Sequence, residues 1–413
     1  MNFLANLSGD IRQYLIITGN YWAFTLTDGA LRMLVVLHFY SLGYSPLEIA
    51  MLFLFYEIFG VITNLVGGWL GAHIGLNKTM NIGLLFQIVA LSMLLVPSEW
   101  LTVVWVMAAQ ALSGIAKDLN KMSAKSAIKL LVPNDAQGQL FKWVAALTGS
   151  KNALKGVGFF LGGGLLSLIG FKAAILLMAC GLLLVWLFSL FSLRADLGKA
   201  KSKPKFSHIF SKSGSINILS AARMFLFGSR DVWFVVALPV YLSTQLDWDH
   251  VSVGGFLALW VIGYGAVQGF TPKLTRRAQH THPDGKDALL WALALSVIPA
   301  LIALALLYDW HVQQVLLIGL MVFGFLFAIN SALHSYLIVS YADEEGVSLD
   351  VGFYYMANAM GRLIGTVLSG WLYQTQGLAM CLWVSTCFIV IAALISLYLP
   401  KHITRIDKQA GNT

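Results

Sequence analysis

Long apolar stretches alternate along the chain with short polar segments. About 20 consecutive apolar residues cross the hydrocarbon core of a bilayer as one helix. The alternation predicts twelve transmembrane helices, over residues 14–41, 47–70, 79–97, 100–121, 140–168, 172–193, 216–244, 252–272, 288–308, 312–340, 351–374 and 378–399. We therefore expect an all-α membrane protein.

The longest hydrophilic segment, RADLGKAKSKPKFSHIFSKSGS, covers residues 194–215 and separates six predicted spans from six. It predicts an N-terminal six-helix bundle over 1–193, a basic cytoplasmic linker over 194–215, and a C-terminal bundle with a short tail over 216–413. We interpret the linker as a solvated tether at the membrane surface. A patch for lipid headgroups is the alternative interpretation.

The two halves share the pattern [KR]xxGxxLxGxLxxxxG in the fifth and eleventh spans, at an offset of 207 residues. The matched pairs include Lys155 with Arg362, Gly158 with Gly365, and Gly170 with Gly377. Parallel repeats around a site at the membrane midplane are the plan of the major facilitator fold. The repeat therefore predicts two pseudo-symmetric six-helix bundles of that kind.

The loops between spans differ sharply in basic residues. Those after the first, third, seventh, ninth and eleventh spans contain no Lys or Arg, and the loop after the fifth contains only Lys172. The opposite loops are basic, with Lys78, Arg194, Lys273 and Lys401 among their cations. The asymmetry predicts cytoplasmic termini. The N-terminus has no basic region before an apolar run, so we expect the first span to be retained rather than cleaved.

Composition excludes several classes of protein. The chain is 58% hydrophobic and 11% charged, against about 25% charged residues in soluble proteins. The net charge of +8 lies mostly in short loops, so nucleic acid is not an expected partner, whereas membrane lipids are. Three cysteines lack metal-ligand spacing, and GxxxxGK[ST], GxSxG and HExxH motifs are absent from the sequence. We expect no cofactor, no metal and no enzymatic activity.

Five cations lie deep inside apolar spans: Arg32, Lys151, Lys155, Arg230 and Arg362. A cation at the bilayer centre costs roughly 2.5–3.5 kcal/mol. Such residues are retained where they line a wet cavity, and a basic cavity suits an anion. We therefore take these five, with Asn152 beside Lys151 and with Lys117 and Lys121 of the fourth span, as candidate substrate-binding residues.

The local pairing of these cations leaves alternatives open. Asp28 and Arg32 are four residues apart on one helix face, so they form a self-neutralising pair, a substrate-binding Arg held by Asp28 when the site is empty, or both. Lys151 and Lys155 share a face with no acid within a turn. They form an anion site or pair with Asp28, Glu57 or Asp231 from other spans.

Two further groups of charges lie near span ends. Arg230 and Asp231 are adjacent and point about 100° apart, so we expect no simple pair. Arg223 is interpreted as a residue of the cytoplasmic mouth. Lys117 and Lys121 begin a basic stripe at the end of the fourth span, which continues through Lys125 and Lys129 and whose later members we place in the cytoplasm. The stripe is interpreted as a positive-inside anchor, or as an electrostatic funnel that draws anions to the inner mouth.

Two short segments resemble known transporter motifs. GWLGAHIGLNK (68–78) resembles the GxLxDRxGRR signature of the major facilitator superfamily, with Ala72 and His73 in place of Asp and Arg. GFFLGGG (158–164) resembles the antiporter signature GPxxxGG, with Phe159 in place of Pro, which favours export by exchange.

Four longer segments resemble the organoarsenical efflux permease family (ArsJ) of bacterial arsenic operons. They are YWAFTLTDGALRMLV, MAAQALSGIAKDLNKMSAKSAIKL, FKWVAALTGSKNALKGVGFFLGG and SAARMFLFGSRDVWFVV. The resemblance implies export of the anion 1-arseno-3-phosphoglycerate across the bacterial inner membrane, and hence arsenate resistance. It also implies a functional partner, the glyceraldehyde-3-phosphate dehydrogenase that makes this substrate.

A substrate with an anionic group at each end is bound best by cations on both sides of a central cavity. The first half supplies Lys151 and Lys155, and the second half supplies Arg230 and Arg362. For coupling, we expect Asp28, Glu57 or Asp231 to carry a proton; a uniporter is the alternative. The rival functions are an organophosphate or inorganic-anion exchanger of the same fold and an amphipathic-drug:proton antiporter. A membrane enzyme or flippase would need a catalytic His/Asp/Ser set, which the sequence does not show.

Overall fold

The computed structural model describes residues 9–44, 52–132, 137–194, 197–200, 213–275, 283–344 and 346–400, and within these ranges the protein has helices and no strand. In the first half, α1 spans Gly9–Ser41, α2 Leu54–Ile74, α3 Leu76–Met93 and α4 Val103–Leu131. The segment Gln137–Ser192 is interrupted at Gly170, and its two parts are α5 and α6.

The second half repeats this order. Here α7 spans Gly214–Phe234 and is continued by the short helix Ala237–Gln245, α8 spans His250–Leu274, α9 Gly285–Leu307 and α10 Val312–Tyr341. The segment Val347–Ser396 is interrupted at Gly377, and its two parts are α11 and α12. Each predicted span corresponds to one helix, and the predicted all-α fold with twelve transmembrane helices is confirmed.

Seven of the described helical segments are apolar and long enough to cross a membrane by length and composition, and two of them contain two spans each. Helices α1 and α4 are less apolar because they carry buried polar side chains. Asp28 lies on α1, and Gln110 and Asp118 lie on α4. The polar groups of these two helices therefore face the interior of the protein.

The repeated glycines have matching structural roles. Gly170 and Gly377 have φ of +76° and +80°, a left-handed conformation that favours glycine, and each separates two consecutive helices. A Cβ on Gly158 would lie 2.8 Å from the Leu26 carbonyl oxygen of α1, and a Cβ on Gly365 2.7 Å from the Gly228 carbonyl oxygen of α7. The repeat therefore preserves the close packing of α5 on α1 and of α11 on α7.

The two halves contact each other at the end of the bundle that carries the start of α1 and the end of α12, here called the terminal end. One hydrophobic cluster at this end joins residues of both halves, including Tyr21, Met122, Tyr336 and Tyr354. The other two clusters each belong to a single half. The halves are therefore closed against each other at the terminal end.

Glycines allow this close approach. A Cβ on Gly265 of α8 would lie 2.6 Å from the Gly149 carbonyl oxygen of α5, and a Cβ on Gly352 of α11 2.6 Å from the Asn64 carbonyl oxygen of α2. These distances are too short for any side chain beyond hydrogen. The pairs α5–α8 and α2–α11 are therefore in close backbone contact across the boundary between the halves.

Part of the predicted linker is held against the first half. The Leu76 amide donates to the Leu197 carbonyl at 2.8 Å, and the Ala200 amide to the Ala72 carbonyl at 2.9 Å. Residues 201–212 lie outside the described residues. The beginning of the linker is thus packed on α2 and α3 rather than fully solvated.

Candidate functional site

Charged side chains from both halves meet between the bundles. Glu57 of α2 lies at the centre of this group, with its Oε1 3.5 Å from Arg32 Nη2 and 3.2 Å from Arg362 Nη2. Arg362 Nε also donates to Asp231 Oδ2 at 3.0 Å. One carboxylate from each half therefore binds Arg362, and these ion pairs link α2 to α7 and α11.

The expected pair between Asp28 and Arg32 is not formed. Asp28 is buried and accepts hydrogen bonds from the Tyr56 hydroxyl at 2.8 and 3.0 Å, while Arg32 pairs with Glu57. The guanidinium of Arg32 lies 4.7 Å, and the ammonium of Lys117 3.8 Å, from the centroid of the Tyr56 ring. Tyr56 of α2 therefore binds Asp28, and the adjacent Glu57 binds Arg32. The prediction that Asp28 and Arg32 pair with each other was wrong.

The expectation that Arg230 and Asp231 do not pair was also wrong. Arg230 Nε donates to Asp231 Oδ1 at 2.6 Å, because the long arginine side chain bends around the helix to reach its neighbour's carboxylate. Asp231 is fully buried, and it forms ion pairs with two arginines, Arg230 and Arg362.

The basic stripe of α4 lies inside the protein. Asp118 is buried between Lys121, whose Nζ is 2.6 Å from Oδ1, and Lys117, whose Nζ is 3.8 Å from Oδ2. Lys125 is only 4% exposed. The placement of Lys121 and Lys125 on an exposed cytoplasmic overhang was therefore wrong, because α4 continues to Leu131 and turns this face toward the second half.

Lys151 and Lys155 of α5 have no carboxylate partner among the described residues. Lys151 Nζ donates to Asn152 Oδ1 at 3.1 Å, and the Asn152 amide in turn donates to Gln268 of α8. Lys155 lies close enough to Arg32, Lys151 and Arg362 to be repelled by them, and close enough to Asp28 to be attracted by it, but it forms no ion pair with a described carboxylate. The alternative of a direct ion pair with Asp28, Glu57 or Asp231 is therefore not formed among the described residues, although Asp28 lies near enough to attract both lysines.

Arg223 is a site residue that the sequence interpretation missed. It is 3% exposed, donates from Nε to Asn358 Oδ1 at 2.9 Å, and donates from Nη1 to the Ser331 carbonyl and hydroxyl oxygens at 3.2 Å. It is therefore not a mouth residue. Its spacing of seven residues from Arg230, two helical turns on one face, was the available signal.

The group as a whole is strongly basic. Its nine cations are Arg32, Lys117, Lys121, Lys125, Lys151, Lys155, Arg223, Arg230 and Arg362, and its four carboxylates are Asp28, Glu57, Asp118 and Asp231; all are buried or half-buried. The side chains of Glu57 and Arg362 are 26% and 27% exposed, so water reaches the centre of the group. A wet cavity with a formal excess of five positive charges can bind an anion.

A separate groove of about 570 Å³ lies against α2, α3 and α6 and is lined by His73, Lys78, Trp186 and Lys199 among others. It is mostly apolar and shares no residue with the charged group between the halves. The groove is therefore not part of the candidate site.

Comparison of the sequence with known protein families supports the twelve-helix fold. The sequence matches the profile of the Major Facilitator Superfamily over residues 17–295 and 284–412. No curated protein shows significant sequence similarity to the chain.

Several solved transporters have a similar structure. The human organic anion transporter MFSD10 (TETRAN) is 14% identical, with a TM-score of 0.73 over 94% of this chain and 99% of that chain. A bacterial homologue of the iron transporter ferroportin, in an outward-facing state, is 16% identical, with a TM-score of 0.72 over 93% of this chain and 98% of that chain. The proton:xylose symporter XylE is 14% identical, with a TM-score of 0.73 over 94% and 96%. At these identities the likeness concerns the fold alone.

Proposed function

The chain belongs to the Major Facilitator Superfamily, and from that premise we propose that it exports the organoarsenical anion 1-arseno-3-phosphoglycerate and thereby confers arsenate resistance. The observation that carries the proposal is the excess of cations over carboxylates between the halves. The segments that resemble organoarsenical efflux permeases also contain most of these cations, including Arg32, Lys121, Lys155 and Arg230.

In this proposal, the substrate first binds the cations that form no ion pair with a described carboxylate. Lys151 and Lys155 attract the anion as point charges, and Asn152 holds Lys151 in place. Arg362 and Arg230 then offer planar guanidinium groups that suit bidentate contact with phosphate or arsenate oxygens. These residues come from both halves, so an anion bound among them bridges the two moving parts of the transporter.

The remaining cations have supporting roles. Arg32 extends the pocket toward α1 and competes with Arg362 for Glu57. Lys117 and Lys121 are partly neutralised by Asp118, and they raise the local anion concentration on the way to the centre.

The carboxylates couple transport to protons. An anion that binds Arg362 displaces Glu57 or Asp231, and a carboxylate that loses its cation binds a proton more readily. Asp28, held by the Tyr56 hydroxyl, is the third candidate carrier. Release of the anion restores the ion pairs and expels the proton on the same side, so a proton bound in this way leaves the cell together with the anion, unlike the exchange that the GFFLGGG segment favours. Without proton coupling, the membrane potential alone supplies about 2.3 kcal/mol per charge per 100 mV to an anion that leaves the cell.

The proposal includes a cellular setting. The chain lies in the bacterial inner membrane with both termini in the cytoplasm, as the loop charges favour. Glyceraldehyde-3-phosphate dehydrogenase supplies the substrate, without a need for physical contact. The terminal end is then cytoplasmic, and the structure corresponds to a state that opens to the outside.

A second candidate is an organophosphate or inorganic-anion exchanger, because the same cations bind phosphate as well as arsenate. An amphipathic-drug:proton antiporter is less well supported, since it favours an apolar pocket with one or two acids over nine cations.

Cells that express the dehydrogenase, with and without this chain, test the export proposal. In medium with arsenate, cells with the chain are expected to retain less total arsenic and to release arsenate and 3-phosphoglycerate outside. Equal retention in both strains would refute export of the organoarsenical, and lower retention without the dehydrogenase would favour the inorganic-anion exchanger.

A further inference from the structure

Three of the cations each lie closer to the terminal end than another cation of the same helix. Lys125 follows Lys121 by one turn on α4, Lys151 precedes Lys155 by one turn on α5, and Arg223 precedes Arg230 by two turns on α7. Helix α4 runs toward the terminal end, whereas α5 and α7 run away from it. All three steps therefore point the same way, and they set these residues about 6–10 Å nearer the terminal end than Lys121, Lys155 and Arg230.

These three cations form hydrogen bonds to neutral groups or ring contacts and no direct ion pair with a carboxylate in the described part of the chain; Asp28 lies near enough to Lys151 to attract it without pairing with it. Arg223 is fixed by Asn358 and Ser331, and Lys151 by Asn152. Lys125 Nζ lies 5.0 Å from the centroid of the Tyr355 ring and forms no ion pair with a described residue. Lys125 is repelled by both Arg223 and Lys151. Buried charges of one sign without a counter-charge are costly unless an anion joins them.

Unused hydroxyl groups lie beside the same cations. The buried hydroxyls of Tyr354, Tyr355 and Ser335 lie beside one another, with Ser335 near both tyrosines, but none of them forms a hydrogen bond of full geometry with a described residue. Tyr355 contacts Lys121 and Lys125 through its ring, and Arg223 lies 5.3 Å from the Tyr354 ring centroid. Buried polar groups are rarely left without a partner, so these donors point to a missing acceptor.

We propose that Lys125, Lys151 and Arg223, with the hydroxyls of Tyr354, Tyr355 and Ser335, form a distinct phosphate subsite at the terminal end of the central cavity. Arg223 supplies a planar fork and the lysines supply two point charges, which together match a phosphate dianion. The hydroxyls donate to its remaining oxygens. Lys125 and Arg223 come from different halves, so the bound phosphate also holds the halves together at this level.

The subsite rests on the proposed anion transport and assigns an orientation to the substrate. The phosphate end lies among Lys125, Lys151 and Arg223, and the arsenate end lies about one to two turns higher, among Lys155, Arg362 and Arg230. The shorter step, about 6 Å over four residues, matches the spacing of two anionic groups on a three-carbon chain. The ion-paired arginines Arg230 and Arg362 then bind the arsenate end, and the cations nearer the terminal end bind the phosphate.

Inorganic phosphate is the probe for this subsite, measured as the rise in melting temperature of the purified full-length protein in nanodiscs and as an affinity by calorimetry. Lys125→Met is expected to weaken phosphate binding at least tenfold, the loss typical of one charge-assisted contact. The ligand-free variant is expected to melt no lower than the wild type, because the change removes an unpaired buried cation. Lys142→Met, which alters an exposed lysine on α5, is the matched control and is expected to change nothing.

Tyr355→Phe keeps the ring and removes only the hydroxyl, and it is expected to weaken phosphate binding about threefold to tenfold. Lys125→Arg is expected to keep most of the affinity. Phosphate affinity within twofold of wild type in both Lys125→Met and Tyr355→Phe would overturn the subsite, as would a wild-type protein that phosphate does not stabilise. The cellular export assay is independent of these outcomes, so failure of the subsite and failure of the export proposal are distinguishable.

Discussion

Replacing Glu57 with glutamine removes the carboxylate that joins Arg32 to Arg362 while it keeps the shape of the side chain. In the substrate-free protein, Glu57 Oε1 lies 3.2 Å from Arg362 and 3.5 Å from Arg32. An anion that binds Arg362 must displace this carboxylate. The account therefore predicts that Glu57→Gln binds anions more tightly than the wild type and transports them less well, because the competing charge and a proton acceptor are both lost.

The magnitude follows from the geometry. At 3.2 Å and an effective dielectric constant of about 20, the attraction within one such pair is about 5 kcal/mol. Desolvation, and exposure of about a quarter of each side chain, reduce the net value to about 1.5–3 kcal/mol. An anion spared this competition gains about tenfold to a hundredfold in affinity.

The assay is calorimetric titration of the purified protein with 3-phosphoglycerate, a stable anion with two charged ends. Glu99→Gln, which neutralises an exposed carboxylate on the short helix Ser98–Trp100, is the matched control and is expected to leave the affinity unchanged. An unchanged or weaker affinity in Glu57→Gln would refute the competition between Glu57 and the substrate for Arg362.

Three further predictions follow from the same arrangement. Lys155→Met is expected to abolish transport by membrane vesicles while the protein still inserts, whereas Lys142→Met transports normally; full transport by Lys155→Met would remove this lysine from the site. Asp28→Asn is expected to bind anions but to lose the pH dependence of transport, and an unchanged pH profile would exclude Asp28 as the proton carrier. Gly352→Leu forces α11 away from the backbone of α2, so a cysteine introduced at the buried Ser348 is expected to become reactive to a maleimide; protection equal to that in the parent protein would contradict the closed contact at the terminal end.

Much of the fold could be predicted from the sequence, because each membrane-spanning helix requires a long run of apolar residues. Apolar length sets each helix, and the [KR]xxGxxLxGxLxxxxG repeat marks equivalent positions in the halves. The matching turns at Gly170 and Gly377 show why the repeat is retained. The convergence of Arg32, Lys155 and Arg362 also followed, since isolated cations in apolar helices need a common wet interior.

The ion-pair partners of the buried charges could not be predicted from the sequence, because they depend on which neighbouring helix faces each charged side chain. Asp28 and Arg32 share a helix face, yet Tyr56 and Glu57 of α2 separate them. Arg230 pairs with its own neighbour because side-chain length outweighs the angle between adjacent residues.

The depth of the lower cations was missed for a different reason. Lys125 and Arg223 lie in polar sequence near helix ends, which hydropathy alone assigns to the membrane surface. Closure of the two halves at the terminal end buries them instead.

Uptake by everted membrane vesicles tests the central claim most directly, since it measures whether the basic cavity transports the organic anion. The substrate is 1-arseno-3-phosphoglycerate generated enzymatically in the assay, with arsenate alone and 3-phosphoglycerate alone as controls. The account predicts uptake of the arsenoester well above both controls, and its loss in Lys155→Met and Arg362→Ala vesicles. Uptake no greater than in vesicles without the protein, or equal uptake by the two variants and the wild type, would contradict it.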